Sequence, residues 1–178
     1  MLRNLRATEF DIERACDPAY NCLSFVVGDL ERPWWPPGDL VAQHPFLPGI
    51  LGPPNFWPED LPPDDTVDNI CTLLLRLGFQ PCPADARRDA RSTVTVAVYG
   101  ERGGDTFAHT AMQRADGRWL SKLGAINDIW HATQQSVQGN AYGTPTRMMC
   151  HPRTKEADDV QKAAVRALLR SARQPGTR

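Results

Sequence analysis

A chain of 178 residues is long enough for one domain with a full hydrophobic core and short for two. Its hydrophobic share of 41% and charged share of 23% fall in the ordinary range for a soluble globular chain, and a formal charge of -1 leaves no electrostatic footprint for nucleic acid. The basic exception, Arg166, Arg170, Arg173 and Arg178, reads as a solvated helix face. No stretch approaches the ~20 apolar residues of a membrane span. The start, "MLRNLRATEFDIERA", is charged throughout and has no apolar signal core, so a cytoplasmic protein without membrane contact is expected.

Taken in chain order, residues 1–20 are polar and carry no clear element. "CDPAYN" (16–21) reads as a turn, and a short apolar helix follows from about Asn21 to Val27, capped by Asp17 or Asn21 and closed by Gly28. Between Pro33 and Pro63 lie ten of the 16 prolines and Trp34, Trp35 and Trp57. That density rules out a long helix or a central strand. The segment 33–63 is too aromatic for a disordered linker, so an ordered loop is expected, either anchored on the domain or walling a substrate groove.

The clearest helix spans 64–79, where Val67, Ile70, Cys71, Leu74 and Leu77 form one apolar face, with Asp64 or Asp65 as cap and Gly78 as stop. "TVTVAVYG" (93–100), "DTFAHTAMQR" (105–114) and "RWLSKLG" (118–124) predict an antiparallel meander that turns at "ADG". Helical spacing is read over 127–139, a short edge strand over 144–150, and an amphipathic helix over 156–173 with Val160, Ala164 and Leu168 inward. Together these predict one α+β domain over 1–178. Its antiparallel sheet would have three to five strands, with helices on one face.

The chemistry centres on Cys22. A thiol at a helix start is helped toward thiolate by the free N–H groups there, and an imidazole can take its proton. His109, mid-strand beside a hairpin, is the candidate base. Counting across the Asp116 turn sets His109 opposite about Leu123, with Ser121 and Lys122 nearby as polar pocket residues. Asp128 is the candidate orienter of the imidazole, and Asn21 a candidate oxyanion contributor. Trp34, Trp35 and Trp57 would wall the groove.

This order, an early cysteine helix, a later histidine strand and then a polar group, resembles the papain-like arrangement, including the bacterial NlpC and CHAP kinds. A fuller resemblance is to a group of uncharacterised bacterial proteins carried as a domain of unknown function. It rests on "NCLSFVVGD" (21–29), "WWPPGD" (34–39), "HTAMQRADGRWLSKLG" (109–124), "DIWH" (128–131) and "YG" (142–143), over about residues 20–145. The papain-like resemblance implies a cysteine hydrolase or transferase acting on an amide or thioester bond of a peptide-like or protein substrate.

Cys16, Cys22, Cys71, Cys82 and Cys150 form no Cys-x-x-Cys pair and read as reduced thiols. A zinc hydrolase built on Cys22, His109, Asp128 and His131 has no recognisable ligand spacing, so neither metal nor cofactor is expected. The alternative is a non-catalytic immunity, adaptor or accessory protein. Its Trp/Pro segment would meet a protein partner and Cys22 would be core.

Overall fold

The computed structural model describes residues 10–37, 55–84, 88–101, 104–124 and 126–171. Seven strands form one antiparallel sheet: β1 (Phe10–Arg14), β2 (Gln80–Pro81), β3 (Thr93–Gly100), β4 (Phe107–Gln113), β5 (Trp119–Lys122), β6 (Asp128–His131) and β7 (Thr144–Pro152). Their spatial order is β1-β6-β5-β4-β3-β7-β2. The helices are α1 (Cys22–Val27), α2 (Val67–Arg76) and α3 (Lys155–Ser171).

This corrects the expected fold. Among the described residues the architecture is β-rich, a seven-stranded sheet with three helices, and not the three-to-five-stranded α+β sheet with helices on one face in papain-like arrangement. Three segments make the difference. Residues 10–14, which showed no clear element, pair with β6 through Phe10↔His131 and Ile12↔Ile129. The stretch expected to be helical over 127–139 begins instead as β6, whose residues point alternately to the two faces. It then turns through Ser136 N–H to Thr133 O and Gln138 N–H to Gln135 O, both 3.0 Å. The strand expected at an edge, β7, is interior, flanked by β3 and by the two-residue β2.

Strand β3 shows why the sheet is buried on both sides. Its β-branched run alternates, so Val94, Val96 and Val98 face one cluster and Ala97 and Tyr99 the other. The first cluster takes Leu23, Val26 and Val27 of α1, Ile70, Leu73 and Leu74 of α2, and Val165 of α3. The second holds Ala111, Trp119, Ile129, Val137 and Met148. Trp34 and Trp35 are buried in the first cluster, against Phe56 and Phe107 respectively. Trp57 is half-buried and donates its indole N–H to Pro62 O at 3.0 Å. The middle of the Trp/Pro segment, 38–54, lies outside the described residues.

Local capping differs in detail from the expectation. Thr66, not Asp64 or Asp65, caps α2 by accepting from Asn69 N–H at 3.2 Å, while Asp64 accepts from the Thr66 hydroxyl. In α3, Ala164, Val165, Leu168 and Leu169 pack inward, but Val160 is exposed. Among the described residues no helix is long and apolar enough to cross a membrane.

Candidate active site

Helix α1 begins at Cys22 because Asn21 stops the backbone from propagating further back. Asn21 Oδ1 accepts from Ser24 N–H at 3.0 Å while Ser24 Oγ accepts from Asn21 N–H at 2.8 Å, a reciprocal capping box. Asn21 Nδ2 donates to Trp34 O at 2.9 Å. The side chain expected to help an oxyanion thus spends its Oδ1 on the helix start and one Nδ2 hydrogen on Trp34 O.

The thiol of Cys22 sits where the sheet opens. Arg114 N–H donates across the hairpin to Arg118 O, so every second residue back along β4, including Thr110, turns its N–H toward β5. Pairing of β4 with β5 ends at Ala111↔Ser121, one residue short of Thr110. The Thr110 amide and hydroxyl lie instead against the Cys22 thiol, and the hydroxyl donates to Cys22 O at 2.8 Å. Cys22 is only 5% exposed, and burial raises its pKa, outweighing the N–H groups and Thr110 contacts that favour the thiolate.

His109 is the neighbour of Thr110 and points to the opposite face of β4. On that face its Nε2 is 2.9 Å from Ser121 Oγ, and Ser121 Oγ is 2.9 Å from His131 Nε2. His131 Nδ1 is 2.7 Å from Thr133 O. Register explains the row: Ala111↔Ser121, Ser121↔Ile129 and Trp119↔His131 place these residues on one face of adjacent strands.

The row has a direction. A carbonyl only accepts, so neutral His131 carries its proton on Nδ1 and accepts at Nε2. Ser121 therefore donates to His131 and accepts from His109 Nε2–H. This leaves His109 Nδ1 as a bare lone pair, with no hydrogen-bond partner among the described residues. The ring is packed edge-on to Tyr99, with centroids 5.3 Å apart, and against Tyr142 at 4.8 Å.

Both histidines are held neutral. Burial, helped by the charge of His131, pushes His109 down to about 3, and burial takes His131 to about 4 against the pull of Thr133 O. Each lies below the free value of ~6.5, so below that pH the unfolded chain binds more protons than the folded one. Stability is then full above pH ~6.5 and is lost as pH falls toward the folded values, on the order of 1 kcal/mol per histidine per pH unit. Urea midpoints measured at pH 7.5 and 5.0 should show this loss, and His109→Gln, which keeps a donor for Ser121, should flatten it. An equal loss in the variant would refute the assignment.

Asp128 and Lys122 are brought together, but not to His109. They pair across β5 and β6 on the sheet face opposite Ser121. Lys122 Nζ donates to Ile126 O and lies 3.7 Å from Asp128 Oδ1 and 4.7 Å from the centre of the Tyr20 ring. Asp128 Oδ2 accepts from Tyr20 OH at 2.7 Å. The contacts expected of Asp128 on His109 are made by Ser121 and, behind it, His131. Trp34 and Trp35, expected as groove walls, are core. Tyr142 and Thr110 were not singled out in the sequence, although "YG" and "HTA" contain them. Among the described residues no three His, Cys, Asp or Glu side chains gather as a metal site.

A family model described as Domain of unknown function (DUF7689) matches residues 11–150, and the chain belongs to that family. No curated protein and no solved structure matches the chain.

Proposed function

We propose that this DUF7689 chain is a cysteine hydrolase or acyl transferase acting on an amide or thioester bond of a peptide-like substrate, with Cys22 as nucleophile and His109 as base. The observation that carries the reading is the directed row Thr133–His131–Ser121–His109, which fixes one tautomer and leaves Nδ1 of His109 as an acceptor. A core histidine needs only satisfied nitrogens, whereas a general base needs an uncommitted one.

No hydrogen bond joins Cys22 to His109 among the described residues, so the step requires substrate binding to bring the thiol and Nδ1 together. Cys22 Sγ bonds to the carbonyl carbon as His109 Nδ1 takes the thiol proton. The substrate's C–N or C–S bond then breaks, and His109 returns the proton to the leaving amine or thiol. Water or an acceptor nucleophile cleaves the Cys22 thioester. Because His109 Nε2–H already donates to Ser121, protonation at Nδ1 needs no ring flip. With burial holding Cys22 up and His109 down, the resting pair is a neutral thiol and imidazole.

The second reading is a non-catalytic interaction or accessory protein. It rests on the same burial, since Cys22 is 5% and His109 1% exposed. Brief iodoacetamide labelling at neutral pH, mapped cysteine by cysteine, separates the two. Burial raises the thiols of Cys22, Cys71 and Cys82 alike, so Cys22 should label ahead of the other two only through removal of its proton by His109. His109→Ala should slow Cys22 roughly 10²-fold, the usual worth of a positioned base. Labelling of Cys22 no faster than Cys71, or indifferent to His109, would favour the second reading.

A further inference from the structure

We propose that the cavity between α1 and α3 binds a fatty carboxylate of medium chain length, its head group on Arg153 and its tail on the apolar floor. The cavity has a volume of about 500 Å³. Neither Cys22 nor His109 lines it, so the site stands apart from the reading of Cys22 as nucleophile. Its floor is Phe79, Val94 of β3 and Met112 of β4, with Val165 and Leu169 of α3 across from them. A cavity of this size, mostly apolar with a few polar groups, is the usual form of a small-molecule site.

Helix α3 covers the floor without sealing it. Only Val165 of its 17 residues is buried. Asp158, Gln161, Lys162, Val165, Arg166 and Leu169 recur at helical spacing, so a single stripe of the helix lines the cavity. Gln161 reaches from that stripe to the end of α1, where Nε2 donates to Val26 O at 3.2 Å and Val27 O at 3.1 Å. Covering the apolar floor with a hydrocarbon tail is favourable in proportion to the area taken from water.

Charge selects the head group. Four cations line the cavity, Arg32, Arg153, Lys162 and Arg166, against the carboxylates of Asp29, Glu31 and Asp158. Arg32 is neutralised by Asp29 at 3.0 Å and Glu31 at 3.2 Å. Arg153 is held differently. Its Nε donates to Ala90 O at 3.0 Å and its Nη2 to Gln113 O at 2.9 Å, so neutral carbonyls fix the guanidinium in place. It is half-buried and has no carboxylate within ion-pair distance among the described residues. A fixed, partly desolvated cation without a counter-charge favours an anion beside it. The exposed Lys162 and Arg166 add the same sign at the lip. One carboxylate on a hydrocarbon chain meets both the Arg153 charge and the apolar floor.

Isothermal titration calorimetry on the full chain tests this with sodium decanoate, sodium dodecanoate and dodecyltrimethylammonium, each below its micelle concentration. Dodecanoate should bind as one molecule per chain and roughly tenfold or more tighter than decanoate, since each buried methylene is worth about a factor of four. Dodecyltrimethylammonium has the same tail and the opposite charge, and should bind roughly tenfold weaker than dodecanoate. Arg153→Gln should remove most of that preference while the dependence on chain length stays. The preference is a ratio taken on one sample, so a partly unfolded variant still reports it. Absence of saturable binding, several molecules per chain, equal affinity for the two charges in the parent chain, or a preference undiminished in Arg153→Gln would each overturn the proposal.

Discussion

Replacing Gly143 by alanine is expected to cost roughly 2–5 kcal/mol of stability. Gly143 has φ +69, in the left-handed region, and a Cβ there would stand 2.1 Å from Gly100 O, 2.7 Å from Gly100 C and 3.1 Å from Ala108 Cβ. Two of those three atoms are backbone of β3, paired on both sides, so no side-chain rotation relieves the overlap. The loop must lift or the end of β3 must bend. For a domain of this size the melting temperature should fall about 5–15 °C. Gly117→Ala is the control, since φ is similar at +87 but nothing lies within 4 Å of its Cβ. Only the conformational term should be lost there, about 1 kcal/mol. Equal melting temperatures in the two variants would refute the close approach. Because Tyr142 rides on this loop, Gly143→Ala should also loosen the ring from His109.

Asp128→Ala should cost roughly 3–5 kcal/mol in urea unfolding, because it removes the ion-pair partner of the buried Lys122 ammonium. Lys122 is 0% exposed, and burial lowers its pKa against the opposing pull of Asp128. The same change strips the acceptor from Tyr20 OH. The double variant Lys122→Met, Asp128→Leu should recover most of the loss, since well-packed apolar replacements of a buried pair are often neutral. A double variant as unstable as Asp128→Ala would show that the pair matters for some reason other than its charge. The experiment also separates Asp128 from the chemistry. Asp128→Asn keeps an acceptor for Tyr20, so in its folded fraction Cys22 should react as in the parent chain, whereas His109→Ala should not allow this.

The reading of this chain from sequence succeeded where one physical pattern dominated. "TVTVAVYG" has the β-branched alternation of a strand and is β3 residue for residue. Counting across "ADG" gave the observed hairpin register, Ala111↔Ser121, because a tight turn leaves no freedom in the count. It failed over 127–139, where Asn127 and Asp128 resemble a helix cap and Gly139 a stop. Only four residues there form an element, and four residues are too few for a period to show. That misreading carried a cost at the site. A helix over 128–131 would set Asp128 and His131 on one face, three residues apart. In a strand they sit on opposite faces, with His131 beside Ser121 and Asp128 beside Lys122. Tyr142 was beyond reach for another reason. Its relation to His109 depends on the return of Gly143 onto β3, a contact between distant segments that no local pattern encodes.

The strand order has a consequence for how the molecule is made. Strand β3 leaves the ribosome long before β7, yet β7 covers one of its two edges, and β2 can pair only with β7. The first strand must likewise wait for β6. Such distant pairings delay closure of the sheet and slow folding. During synthesis the Val94–Val96–Val98 edge stays open, with the β-branched character that invites pairing with another chain. A nascent chain stalled before Thr144 would therefore be sticky in a way that the finished molecule, with charged Asp11, Glu13 and Arg14 on its outermost strand, is not.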